Sequence, residues 1–161
     1  TMMLVPRSVS LMVYPRMARE YGRTGDPRAL KSLVYRPLVL LVAIMVPSVV
    51  AVYLLGPWFI ARFRPQYVPG IPAFRLTLLG VFFLSFMGGF GNLLTIVDRQ
   101  KLYLLIQIFA LGLNFVLNLL ALKAGWGIVG VAAATLATQV VYVLVLWACS
   151  HRVLTAPARS T

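Results

Sequence analysis

Acidic residues are almost absent from this sequence of 161 residues, which has three Asp or Glu against fifteen Lys or Arg and a net charge of +12. The three acids lie outside the long apolar runs, so an enzyme built on paired carboxylates is nearly excluded. Cys149 is the single cysteine, which excludes an intrachain disulfide and a metal cluster with several cysteine ligands. Motifs such as HExxH, the P-loop and GxSxG are also missing. The sequence therefore predicts no enzymatic activity, no metal and no cofactor.

Charged residues of both signs make up only 11% of the chain and hydrophobic residues 61%, whereas soluble proteins are about 25% charged and about 45–50% apolar. The basic residues lie in short breaks between long apolar runs, an arrangement typical of a membrane protein and not of a nucleic-acid-binding protein. The apolar runs therefore decide the fold class.

A membrane core of about 30 Å requires about 20 helical residues. Four uncharged stretches reach that length: 37–61, 76–97, 102–122 and 124–150. Residues 1–15 are too short to span alone and read as the end of a helix whose beginning is missing, so we expect a fragment of a longer protein. The predicted fold is a single all-α polytopic transmembrane helix bundle with four full spans and the end of a fifth.

Lys and Arg are distributed unequally between the two ends of these spans. Ten lie in the predicted loop 16–36, the turn 98–101 and the tail 151–161. The opposite end carries four: Arg62, Arg64, Arg75 and Lys123. Because cytoplasmic loops of membrane proteins are enriched in Lys and Arg, we expect the end with ten, including the C-terminus, to be cytoplasmic.

Arg7 is the cation that this distribution does not explain. In a helix over 1–15 it would lie about 12 Å from Pro15, inside the membrane boundary. An intramembrane arginine costs at least ~2.5–3.5 kcal/mol and normally faces a partner or a watery cavity. There it would present a fixed cation to a phosphate-bearing substrate. The alternative is that Arg7 extends to a membrane interface.

Five amides inside the predicted spans are candidates to line a substrate cavity. Asn114 and Asn118 are four residues apart and share a helix face with Gln107, seven residues before Asn114. Asn92 and Gln139 are the other two. These residues either line a hydrophilic pathway or form hydrogen bonds between helices, worth about 0.6 kcal/mol each.

Proline and glycine predict places where the spans bend or pack closely. Pro47 lies in the middle of the first span and is expected to kink it, because proline removes one helical hydrogen bond. The other hinge or packing candidates are five glycines in the second and fourth spans: Gly88, Gly89, Gly91, Gly127 and Gly130.

Three segments resemble a known family. SLMVYPRMAREYGRTGDPRAL resembles the helix end and loop of polysaccharide flippases, and FRPQYVPGIPAFRLTLLG is similar to their outer loop and following span. The segment LNFVLNLLALKAGWGIVGVAAATLAT is similar to their signature of paired asparagines followed by glycine and alanine. In order and spacing the chain resembles the multidrug/oligosaccharidyl-lipid/polysaccharide exporter superfamily, specifically its O-antigen and exopolysaccharide flippase branch.

This resemblance implies a protein of two lobes with about six helices each, which moves a lipid-linked oligosaccharide across the bacterial cytoplasmic membrane by alternating access. The chain would be an incomplete C-terminal lobe, with the missing N-terminal lobe and membrane lipids as partners. Arg7 would face the cavity and meet the pyrophosphate of the carrier lipid. Asn114 and Asn118 match the motif asparagines, with a structural or cavity-lining role.

Other functions remain open from the sequence. A cation-coupled multidrug exporter of the same superfamily usually has a membrane carboxylate, and none lies in these spans. A membrane scaffold subunit that transports nothing is a second alternative. A polytopic membrane enzyme is the least favoured, because the spans contain neither an acid nor a histidine.

Overall fold

The computed structural model describes the backbone of residues 4–155 and the side chains from residue 12 onward. This part of the chain is helical and contains no strand. Four helical segments are long and apolar enough to cross a membrane, which indicates a multi-pass membrane protein and confirms the predicted all-α class. The six α-helices are α1 (Leu4–Thr24), α2 (Lys31–Phe63), α3 (Ile71–Leu84), α4 (Met87–Ile96), α5 (Gln100–Lys123) and α6 (Gly127–Thr155).

The prediction of a loop over 16–36 is wrong. Helix α1 continues to Thr24, a short 3₁₀ helix covers Pro27–Leu30, and α2 begins directly after it. Gly25, at φ +63°, ends α1, and the Asp26 side chain accepts a hydrogen bond from the Arg28 N–H at 2.9 Å. The charges of this segment are typical of a loop outside the membrane. A helix that extends beyond the apolar core can carry the same charged side chains as a loop.

The helical interruption lies in the second span and not at Pro47. Helix α2 runs through Pro47 without a break, and its role as a hinge stays a prediction. Between α3 and α4 the helix is broken at Ser85 and Phe86, directly before the glycine-rich segment, and Gly88, Gly89 and Gly91 lie inside α4. Ser85 is buried, and its hydroxyl donates to the Val81 carbonyl at 2.9 Å.

The tightest packing lies at the end of the bundle where α1, α4 and α6 end. Its core includes Met17, Leu30, Leu94 and Leu146. The Arg28 guanidinium donates to the carbonyl of Thr155 at 3.3 Å, which joins the turn between α1 and α2 to the C-terminal end of α6. We call this the closed end. Helix α6 packs most extensively on α5 and α3.

At the opposite end, the open end, large apolar side chains of α2 and α5 are exposed. On this part of α2, Leu54, Leu55 and Trp58 are each more than 60% exposed. Apolar surface of this extent suits contact with lipid or with further protein.

Two glycines, Gly112 in the middle of α5 and Gly125 just after its end, test the backbone geometry because opposite effects are expected from the same substitution. Both positions have open space where a Cβ would be placed, but Gly125 has φ +74° and Gly112 is helical. We expect Gly125→Ala to destabilise the protein by about 1 kcal/mol, because L-residues are strained in the left-handed region. Gly112→Ala should stabilise it by about 0.5–1 kcal/mol through helix propensity. Thermal unfolding in detergent measures both, and shifts of the same sign would contradict this geometry.

Candidate functional site

A cavity of about 350 Å³ lies between α5, α6 and the break between α3 and α4. Three of the predicted cavity residues line it: Gln107, Asn114 and Gln139. Leu84 and Met87, on either side of the helix break, belong to the same lining. The remaining lining residues are Ala110, Leu111, Thr135, Thr138 and Tyr142. The helix break and the polar residues of two spans therefore meet in one place.

Asn114 and Asn118 form hydrogen bonds at the α5–α6 contact. The Asn118 side-chain amide donates to the Asn114 carbonyl oxygen at 2.9 Å. The Asn114 Nδ2 lies 3.5 Å from the hydroxyl oxygens of both Thr135 and Thr138. The hydrogen bonds from α5 to α6 therefore come from Asn114, which also lines the cavity, whereas Asn118 bonds to Asn114 within α5.

Two polar groups of the lining have no hydrogen-bond partner among the described residues. These are the Gln139 Oε1 and the Tyr142 hydroxyl, both without solvent contact. The Tyr142 hydroxyl is close to Tyr103 and Gln107, yet no hydrogen bond of good geometry joins them. A buried polar group without a partner costs about 1–3 kcal/mol. A ligand or water that supplies the missing hydrogen bonds would thus be stabilised here.

The wall of the cavity formed by α3 depends on a glycine that sequence reasoning missed. At Gly80, an ideal methyl group would overlap the side-chain carbonyl oxygen of Gln139. Glycine therefore lets α3 approach α6 closely enough to hold this amide. Gly91 has a similar place between α4 and α5, where an added Cβ would lie 2.9 Å from the Tyr103 hydroxyl oxygen.

The other candidate residues lie outside the cavity lining. Asn92 is half-buried in α4. Gly127, at φ +56°, begins α6, and Gly130 is buried where α6 meets Ala121 of α5. Arg7 belongs to α1, but its side chain lies outside the described residues, so its proposed role stays a prediction.

Thr135, Thr138 and Tyr142 are further polar residues inside the predicted spans, although they are not among the named cavity candidates. The three residues follow one another at spacings of three and four along α6, and this spacing places them on one helix face. This spacing could have predicted that the three side chains lie together in the lining. No signal in the sequence pointed to Gly80, because its role depends on which residue of α6 packs against it.

The cavity is chemically suited to an uncharged polar group. Its described lining contains amides, hydroxyls and apolar side chains, with no charged residue. Amides both donate and accept hydrogen bonds, which matches the hydroxyl groups of a sugar. In the described part of the chain, no three His, Cys, Asp or Glu side chains lie close enough together to hold a metal ion.

Comparisons with known proteins add no identification. Among protein-family models, curated proteins and solved structures, none matches this chain.

The contact between Gly80 and Gln139 is testable by paired substitutions. Gly80→Ala should destabilise the protein by about 1–3 kcal/mol, the usual cost of overpacking. Because the added methyl group would meet the Gln139 side chain, the double variant Gly80→Ala, Gln139→Ala should recover most of that loss. Gly22→Ala, in open space inside α1, is the matched control and should not destabilise the protein, because alanine favours a helix more than glycine does. Thermal unfolding that leaves Gly80→Ala as stable as the wild type would refute the close approach.

Proposed function

We propose that this chain is part of a membrane flippase that translocates a lipid-linked oligosaccharide, a precursor of a surface polysaccharide or O-antigen, by alternating access. The observation that carries this proposal is the uncharged polar cavity among Gln107, Asn114, Gln139 and Tyr142, within helices apolar enough to span a membrane. Its volume of about 350 Å³ is within the usual range of ligand pockets, about 300–1,000 Å³.

The chemistry of the cavity favours a carbohydrate over a charged drug or ion. Sugar hydroxyls donate and accept hydrogen bonds, so they can donate to the unpartnered Gln139 amide oxygen and can donate to or accept from the Tyr142 hydroxyl. The apolar side chains of Leu84, Met87 and Leu111 offer contact to the C–H groups of a sugar ring. A cation-coupled exporter would be expected to place a carboxylate at this depth, and the described lining has none.

The distribution of charge supports a location in the bacterial cytoplasmic membrane with the closed end in the cytoplasm. The Arg28–Thr155 contact brings the first turn and the C-terminal end of α6 to the same end. Most Lys and Arg residues also lie there, including Arg16, Arg19 and Arg99. An excess of cations on the cytoplasmic side is the general rule for membrane proteins.

Complementation of a bacterium that lacks its own flippase tests the function. We expect the complete reading frame that contains this chain to restore surface polysaccharide. Gln139→Leu should reduce it at least tenfold, because the cavity loses an amide that a sugar can bind, whereas Gln100→Leu, the same change at an exposed position of α5, should not. A fluorescent protein fused to the C-terminus reports expression, and it fluoresces only if that end is cytoplasmic.

Each arm of this experiment has an outcome against the proposal. Failure of the wild type to restore polysaccharide, at normal expression, would reject the flippase. Full activity of Gln139→Leu would remove the cavity from the substrate pathway. A fusion protein that is made at the normal level but does not fluoresce would show that the C-terminus is not cytoplasmic, which contradicts the proposed orientation.

A further inference from the structure

Arg75 directly precedes the uncharged run 76–97, which predicts a place at the end of the span. In the structure it lies deeper in the membrane-spanning part of the protein. Helix α3 begins at Ile71, so Arg75 lies inside the helix. Helices α3 and α6 both start at the open end, and Gly80 of α3 meets Gln139 of α6. Arg75 is five residues before Gly80, and Ala134 is five residues before Gln139. Because the two helices run in the same direction, Arg75 lies level with Ala134. Ala134 is seven residues after the start of α6, which is about 10 Å at the helical rise.

Lys123, another cation of the open end, is a useful reference for this depth. Ala121 of α5 meets Gly130 of α6, so Lys123, two residues further along α5, lies near the level where α6 begins. Arg75 is therefore about 10 Å nearer the middle of the bundle than Lys123. Helix α6 has 29 residues and is about 43 Å long. A hydrocarbon core about 30 Å thick and centred on α6 would begin about 7 Å below the start of this helix, so the level of Arg75 lies about 3 Å inside the apolar region.

The side chain of Arg75 is held at this depth. Its Cζ atom lies 4.8 Å from the centroid of the Tyr53 ring on α2. Helices α2 and α3 are antiparallel, with Gly56 packed against Phe74, so Tyr53 is almost one turn nearer the middle than Gly56. A guanidinium that stacks on this ring does not extend toward the membrane surface as a snorkelling arginine does.

The chain offers Arg75 no carboxylate. Its three acids are Glu20, Asp26 and Asp98, which all lie at the closed end, in the last turn of α1 and the turns that follow α1 and α4. Arg75 is also exposed, so an external group can reach the guanidinium. An arginine at membrane depth is stabilised by an anion or by water, and its planar fork of donors matches the oxygens of a phosphate.

We propose that Arg75, positioned by Tyr53, binds a lipid-borne phosphate group within the membrane. Two sources share this chemistry: the phosphodiester of a bilayer phospholipid, and the pyrophosphate of a lipid that carries an oligosaccharide. The second source rests on the proposed function, and the first does not.

Lipid binding to the purified full protein in detergent, measured by native mass spectrometry, tests this site. The probes are phosphatidylglycerol, a polyprenyl diphosphate, the corresponding polyprenol without phosphate, and inorganic phosphate as a competitor. The wild type should bind at least one phosphate-bearing lipid at least tenfold more tightly than the polyprenol. Arg75→Gln should abolish this preference, and Arg75→Lys should keep part of it. Arg62→Gln, which removes an exposed cation from the end of α2, should keep all of it.

The two sources give different outcomes, and each supports the phosphate site. Equal affinity for both phosphate lipids identifies a phospholipid site, and a preference of tenfold or more for either lipid identifies that lipid as the source. The proposal is overturned if Arg75→Gln, folded as judged by thermal unfolding, binds like the wild type, or if Arg62→Gln loses as much. The lipid site would also be overturned if inorganic phosphate, at the same concentration as the lipid, displaced the bound lipid. If complementation fails but lipid binding still depends on Arg75, the flippase proposal is rejected and the phosphate site is retained.

Discussion

The hydrocarbon core of a membrane offers no hydrogen bonds, and this constraint determines where polarity is found in the structure. Every short hydroxyl side chain with a described hydrogen bond between the start of α2 and the end of α4 donates it to a carbonyl four residues earlier in the chain. Ser48, Thr77, Ser85 and Thr95 all bond in this way. The longer amides and the phenol of Tyr142 do not reach such a carbonyl easily. Unpaired hydrogen-bonding capacity therefore collects between α5 and α6, where Gln139 and Tyr142 line the cavity.

The same constraint gives the two ends of the bundle different characters. At the closed end, Met17, Leu30 and Leu146 are fully buried, and Arg28 joins the first turn to the end of α6. At the open end, α2 leaves large apolar side chains exposed, and the Arg75 guanidinium lies over the Tyr53 ring.

The sequence predicted the helical spans well, because long apolar runs leave few alternatives to a transmembrane helix. It also predicted Gln107, Asn114 and Gln139 as lining residues, since their polarity is unusual at that depth. It failed where the answer depends on which helix faces which. Gly80 and the depth of Arg75 both follow from the register of α3 against α6. The predicted loop over 16–36 is wrong because a high density of charge is compatible with a helix that has left the apolar core.

If the α5–α6 cavity is part of a polar pathway, water or a polar ligand reaches it from outside the apolar core. Thiol labelling measures this directly. In a Cys149→Ser background, a cysteine replacing Thr135, which lines the cavity, should react with a membrane-impermeant, water-soluble maleimide in bacterial cells or inverted membrane vesicles. A cysteine replacing Leu144, exposed on another face of α6, should not react in either preparation. Equal protection of both positions would contradict a polar cavity that is open to water.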